Sequence, residues 1–287
     1  MSNATNEQAT KPEATRDEYI LGYDDDIVHK LSQRNAVREG SFLLPFLRSG
    51  MSLLDAGCGP GSITLDFARL LAPGIVTGID VDAGQIAIAS AAAQQSSLSN
   101  ARFLEGSLYQ LPFEDRSFDV VFCHTVFMHL STPEAAMREL YRVCKPGGVI
   151  GVREGLGSFG ELGSVATSRG ELPFLDFMWE LTRLGGGRRG IGLELKGLLH
   201  AAGFRRITPR TYEEIYHEPP DLLMLQAWFQ SMLEGTLGER AVESGLITRA
   251  DLVELMAKMR HWPADPAAIS VVSWIEYVAW QPEISVP

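Results

Sequence analysis

The residues with the clearest chemistry are those at 53–61, Leu-Leu-Asp-Ala-Gly-Cys-Gly-Pro-Gly. A short apolar run followed by glycines at 57, 59 and 61 describes a strand turning sharply into a helix, with no Cβ to hold a ligand away from the backbone. Asp80 stands about twenty residues past Gly61, at the end of a second apolar run, where a carboxylate can accept both hydroxyls of a ribose. A nucleoside-containing cofactor is therefore expected. A dinucleotide is the first alternative, but its fingerprint places a third glycine three positions after the second, and Ser62 stands there. Asp55 also suits a pyrophosphate badly, because a carboxylate just before the turn repels it, whereas a ligand ammonium would donate hydrogen bonds to that carboxylate. An amino-acid-bearing nucleoside satisfies both acids.

The elements that must position these residues follow from the alternation of short β-branched runs with helical stretches, which predicts βαβ units and a parallel sheet. Strands are expected at 51–55, 75–80, 101–105, 120–124 and 149–152. Between the first two, Ile63, Phe67, Leu70 and Leu71 share one face of a helix that Pro73-Gly74 ends. A second, alanine-rich helix is predicted over 83–95. Ser131-Thr132-Pro133-Glu134 has the make-up of a capping box starting a third helix, which should stop at Lys145-Pro146-Gly147-Gly148. A glycine-rich stretch at 155–170 and Gly185-Gly186-Gly187 flank an apolar helical segment with Phe174, Phe177, Met178 and Trp179, the composition of a lid. A helix over 193–202 closed by Gly203, a sixth strand at 204–208, helices over 220–260 with Thr248 and Asp251 at capping-box spacing, and a last strand at 269–280 complete the pattern.

A chain of 287 residues, 45% hydrophobic and 21% charged, can bury one large core without disulfides. Residues 1–17 are polar and aperiodic and are expected to be disordered. Cys58, Cys123 and Cys144 are odd in number and set in apolar segments, which favours a reduced compartment and no disulfide. No apolar run is long enough to span a bilayer and no signal peptide is evident, so a cytoplasmic protein with no membrane partner is expected. A net charge of −11 argues against a nucleic-acid partner. Arg183, Arg188 and Arg189 form the densest basic cluster, read either as a solvated loop or as a small local site.

The 55–61 loop, Gly78-Ile79-Asp80, the stretch from Leu111-Pro112-Phe113 to Ser117-Phe118-Asp119-Val120-Val121, and the segment 140–148 ending Lys-Pro-Gly-Gly occur in that order. On these four signals the chain resembles the class I S-adenosylmethionine-dependent methyltransferases, in particular the ubiquinone/menaquinone-biosynthesis type that acts on small molecules. The resemblance covers roughly residues 45–155. It implies an α/β, Rossmann-like doubly wound sheet of seven strands in the order 3-2-1-4-5-7-6, with strand 7 antiparallel. It implies one methyltransferase domain over 18–287, made of cap helices (18–48), a cofactor-binding core (49–154), a lid (155–192) and a helical insertion (219–262).

Position by position, the resemblance puts Asp55 and Gly57 at the methionine end of S-adenosylmethionine, Asp80 at the ribose and Val81 beside the adenine, with Cys58, Gly59 and Gln85 completing the cradle. Ser107 stands where the family often has an aspartate that reaches the adenine amino group, and the Leu108 amide follows it. His124 and Thr125 fall near the sulfonium. Tyr19 and Tyr23 precede a helix that would cover the cofactor, although packing explains them equally well. No metal site is expected.

Methyl transfer from a sulfonium needs the acceptor held at near-attack distance and water kept out, so no protein nucleophile is required. For a hydroxyl or acidic-carbon acceptor, His124, His129 or Glu154 are the candidate bases, His129 being equally readable as a packed core histidine. Phe174, Phe177 and Trp179, with Tyr216 and Trp228, suggest an apolar or aromatic small-molecule acceptor. Two competing functions are a non-catalytic S-adenosylmethionine-binding regulator or subunit, and a protein or nucleic-acid methyltransferase. Against the latter, 124–127 reads His-Thr-Val-Phe and carries no Asn-Pro-Pro-Tyr motif.

Overall fold

In the computed structural model, which describes residues 17, 19, 22–156, 165–167, 170–171, 180–188 and 190–283, the first strand, β1 (Leu53–Ala56), is buried at every position. It pairs in parallel with β2 (Val76–Asp80) on one side and with β4 (Phe118–His124) on the other. Because helices cover both faces, successive residues of one strand enter different cores. Leu54, Val121 and Ile150 join Met137, Leu140, Leu195 and Leu199, whereas Leu53, Val120 and Val149 meet Phe67, Leu71 and Phe42. This is the reason these strands read as near-continuous apolar runs rather than alternating ones. The helices concerned are α3 (Ser62–Leu71), α4 (Ala83–Gln95), α5 (Pro133–Val143) and α6 (Ile191–Ala202).

The seven principal strands lie in the order β3-β2-β1-β4-β5-β9-β8, where β3 is Ala101–Glu105, β5 Cys144–Gly155, β8 Arg205–Tyr216 and β9 Ile269–Trp280. In chain-order terms this is the expected 3-2-1-4-5-7-6, and β9 runs antiparallel to both neighbours. Two short strands, β6 (Val165–Thr167) and β7 (Gly170–Glu171), form a hairpin that continues the sheet along β9 beyond the end of β5. They were not anticipated.

Strand β8 runs eight residues beyond the expected 204–208, because it is an edge strand. Pro209 and its charged neighbours disguise it in the sequence, and only an edge tolerates them. Helix α5 starts at Pro133 as expected, but its N-cap is Thr132, without a side-chain cap bond, and Glu134 instead accepts from Arg188 Nη1 at 2.9 Å. The box at Thr248 does form, with Thr248 Oγ1 accepting from Asp251 N at 3.1 Å. Asp17, at the end of the stretch expected to be disordered, accepts from Ser131 N at 3.0 Å; residues 1–16 lie outside those described.

Helices α7 (Pro219–Glu234), α8 (Thr236–Glu243) and α9 (Arg249–His261) fill the interval between β8 and β9. They pack on a core of Leu225, Phe229, Leu255, Met259 and Trp262, to which Ile27 and Leu181 also belong. Ile27 comes from α1 (Asp25–Ser32), which precedes the single-turn α2 (Ala36–Glu39). All three cysteines are buried free thiols. No helix among the described residues is long and apolar enough to cross a membrane.

A buried ion cluster ties β5, β8 and β9 together. Arg153, 1% exposed, donates to Glu276 at 3.2 Å and Glu214 at 3.3 Å, and its guanidinium lies over the rings of Trp274 (4.6 Å) and Tyr212 (5.1 Å). Glu276 is fully buried and also accepts from Arg210. Removing one member leaves an unmatched charge in the interior, so Glu276→Gln is expected to cost about 3 kcal/mol of unfolding free energy, measured by denaturant titration.

Candidate active site at the ends of β1 and β4

The turn from β1 into α3 is built from left-handed glycines, Gly57 at φ +80°, Gly59 at +52° and Gly61 at +80°. At Gly57 the space is also closed, since a Cβ there would lie 2.4 Å from Val126 Cγ2. The amides of Gly57 and Cys58 both donate to Ile79 O, at 2.8 and 3.0 Å, which pins the turn against β2. Asp80 reinforces this, accepting from Gly59 N at 2.9 Å through Oδ2 and from Asp82 N at 3.1 Å through Oδ1. Each oxygen keeps a second lone pair. Burial pushes the Asp80 carboxyl above its ordinary range despite these bonds.

Asp55 is buried and accepts from Thr64 Oγ1 at 2.5 Å. Burial raises its pKa to about 7. Gln85 is buried, and its Oε1 has no partner and faces the loop, 4.0 Å from where a Cβ on Gly59 would stand. Val81 is largely exposed beside Asp80, and Leu108 is buried. The Ser107 hydroxyl accepts from Tyr109 N at 3.2 Å, which leaves its proton free to donate. The Tyr19 and Tyr23 rings stack at 5.0 Å, and Tyr19 meets His129 edge-on at 4.9 Å. Both tyrosines lie close enough to Asp80 for its charge to raise their pKa values further, burial being the larger cause. The structure thus brings the two tyrosines, the glycine loop and Asp80 to one place.

His124 ends β4 with both ring nitrogens unpartnered, between Phe122 (centroids 6.5 Å apart) and Trp274 (5.7 Å). Burial, then Arg34 and Arg153, hold it well below the ordinary histidine pKa, so it is neutral. His129 is lowered to about 4, by burial and then Arg34. Glu154 is occupied differently from the other two: its Oε1 accepts from Val126 N at 2.7 Å and Phe127 N at 2.6 Å, making it the anchor of the turn after β4. Its Oε2 is unpartnered, and burial raises its pKa to about 7.

Sequence reasoning missed two features. Thr125, a β-branched residue, sits at φ +54°, a strained conformation of the kind held at functional sites. Its hydroxyl accepts from Arg34 Nη1 at 3.2 Å. Arg34 lies in the polar segment after α1, where nothing in the sequence marks it. His124, Thr125 and Arg34 line a cavity of about 270 Å³ whose other walls include Trp228, Trp274 and Met224, from α7 and β9. Arg183 and Arg188, the described part of the basic cluster, pair at the surface with Glu180 and with Glu134 and Glu194. Arg189 and the lid residues Phe174, Phe177, Met178 and Trp179 lie outside the described residues. No cluster of metal-ligating side chains occurs among the described residues.

Residues 54–152 match the family model described as a methyltransferase domain. The match takes in the glycine turn, Asp80 and His124 and covers about a third of the chain. The chain is 34% identical over 142 residues to an uncharacterized methyltransferase of Schizosaccharomyces pombe, covering 47% of this chain and 51% of that one. Against the demethylmenaquinone methyltransferase of Lactococcus lactis it is 39% identical over 104 residues, 35% of this chain and 40% of the relative. The chain spans about half the length, or less, of these curated relatives. The solved structure of the YcgJ protein of Bacillus subtilis superposes with a TM-score of 0.58 at 20% identity, covering 89% and 99% of the two chains, and shares the methyltransferase fold.

Glu154, two residues past the matched segment, is protonated in the folded state and ionised in the unfolded one between about pH 4.5 and 7. Its contribution to stability is present at acid pH and is lost as the pH rises through that window. Glu154→Gln removes this titration but keeps an acceptor for the two amides. The slope of unfolding free energy against pH should therefore be more positive in the variant, by up to about 1.4 kcal/mol per pH unit, as read from denaturant titrations at pH 5, 6 and 7.

Proposed function

We propose that this protein transfers a methyl group from S-adenosylmethionine to a small organic molecule bound in the cavity beside His124 and Thr125. The observation that carries the reading is the cradle itself: a glycine turn closed to side chains, with an unpartnered buried Gln85 oxygen and the free lone pairs of Asp80 facing it. These fit a nucleoside whose ribose hydroxyls donate to Asp80. Asp55, just before the turn, suits the ammonium of a methionine moiety, which would hold that carboxyl ionised. Tyr19 and Tyr23 cover the ligand, Val81 and Leu108 flank the adenine, and the Ser107 hydroxyl donates to it.

The cofactor supplies a methyl group already activated on a sulfonium. This chain's residues bind, orient and exclude water. His124, held neutral and unpartnered, takes a proton from a hydroxyl or acidic-carbon acceptor through whichever ring nitrogen is unprotonated. Glu154, occupied by two backbone amides, and His129, packed on Tyr19, serve as positioning residues instead. The acceptor is apolar or aromatic over much of its surface, as Trp228, Trp274 and Met224 imply. Residues 18–287 act as one methyltransferase domain, with 219–262 inserted between β8 and β9. Its three free thiols suit a reduced, cytoplasmic setting.

Calorimetric titration with S-adenosylmethionine and S-adenosylhomocysteine tests the reading. Both should bind wild type with micromolar affinity, and Asp80→Ala should weaken both by at least about tenfold, the loss of one charge-assisted hydrogen bond. Absence of binding to a folded wild-type protein would refute it.

A further inference from the structure

The charges around the cavity do not balance. Four cationic side chains line it, Lys30, Arg34, Arg38 and Arg153, against two anionic ones, Glu39 and Glu214. Arg38 pairs with Glu214 at 2.9 Å, and Arg153 with Glu276 and Glu214. Lys30 and Arg34 have no carboxylate within ion-pair distance among the described residues. Lys30 Nζ rests against Met224 Sδ at 3.6 Å and 5.6 Å above the Trp228 ring, and Arg34 reaches the Thr125 hydroxyl. Two cations without a direct ion-pair partner at a single cavity stand out in a chain of net charge −11, with Glu39, Glu214 and Glu154 attracting Arg34 only from a distance.

Hydrogen bonding gives the same sign independently. Five of the residues lining this cavity have buried polar atoms with no partner: both His124 ring nitrogens, Trp228 Nε1, Trp274 Nε1, Ser270 Oγ and Arg153 Nε. His124, Ser270 and Arg153 are themselves 6%, 0% and 1% exposed. The two indole nitrogens and the guanidinium nitrogen can only donate. A buried donor without an acceptor costs about 1–3 kcal/mol, a deficit that an oxygen-bearing ligand would remove. Much of the remaining wall is apolar, with Ile27, Leu225, Phe229 and Val272, though Gln33, Tyr216 and Ser273 also line it.

We propose that the methyl acceptor is a ring-sized apolar molecule bearing a carboxylate, which Arg34 and the indole N–H groups of Trp228 and Trp274 recognise. Arg34 presents a planar fork matched to a carboxylate, and Lys30 adds its field from the rim. The proposal rests on the methyl-transfer reading. Its competitor is that Arg34 serves the carboxylate of the cofactor. No residue of the 55–61 loop and no residue of β2 lines the cavity, which sets these donors apart from the cofactor cradle.

The test uses the full chain saturated with S-adenosylhomocysteine and two probes of equal shape, 2-naphthoate and its neutral amide, titrated calorimetrically. The expected result is at least about tenfold tighter binding of the carboxylate, equivalent to about 1.4 kcal/mol. Arg34→Gln should abolish that preference, and Trp274→Phe, which keeps a ring but loses the N–H, should reduce it. Thermal unfolding of each variant establishes that it folds. Equal affinities, a preference for the amide, or no saturable binding of either probe to loaded protein would overturn the proposal. So would an Arg34→Gln variant that loses S-adenosylhomocysteine binding while retaining the preference between probes. Repeating the titrations without the nucleoside separates the two readings. If the nucleoside does not bind but the preference persists, the carboxylate site stands and methyl transfer falls.

Discussion

The Glu154 carboxyl group accepts from the amides of Val126 and Phe127, and through Val126 it governs how the end of β4 meets the end of β1. The Val126 methyl occupies the space that a side chain at position 57 would need. The glycine turn can then lie low enough for the Gly57 and Cys58 amides to reach Ile79 O and for the Gly59 amide to reach Asp80. Strands β5, β4, β1 and β2 are thereby linked at their carboxyl ends by a sequence of contacts with no slack. Glu154, one of the candidate bases, thus also supports the turn that packs against the glycine loop.

Much of this was legible in the sequence, for a physical reason. Strands buried on both faces must be apolar throughout, so β1, β2 and β4 declare themselves, and β3 and α4 appear at their expected limits. The 55–61 loop and Asp80 were legible because close backbone approach leaves glycine no substitute. Strand β8 was only partly legible, since an edge exposed along most of its length has no apolar signature. Arg34 and Trp274 were illegible as site residues because only tertiary packing brings the segment after α1 and the middle of β9 to His124. The strained Thr125 backbone was hidden for a similar reason: residue type alone disfavours that conformation, and the bonds that enforce it come from Arg153 and Arg34.

The site is electrostatically two-sided. Asp55, Asp80 and Asp82 gather about the glycine turn, and burial leaves the first two with raised pKa values in the absence of a cation. Lys30, Arg34, Arg38 and Arg153 gather on the opposite wall, around the cavity. His124 and Thr125 stand at the boundary. In the proposed reaction this arrangement holds a cationic donor on the acidic side and an anionic acceptor on the basic side, so that the two ligands' own attraction favours their approach. The low pKa of His124 follows from the same layout, because its burial and the neighbouring guanidinium groups both disfavour a second proton.

The cavity walls come mostly from outside the segment that matches the methyltransferase-domain model. Of residues 54–152, only His124, Thr125 and Met128 line it; the rest come from the first 39 residues and from position 153 onward. Substitutions along α7, the far half of β8 or the start of β9 can therefore reshape what is accepted while leaving the cofactor turn and its supports untouched. If the proposed reaction holds, the part of the chain that would grip the cofactor and the part that would choose the acceptor can change independently of each other.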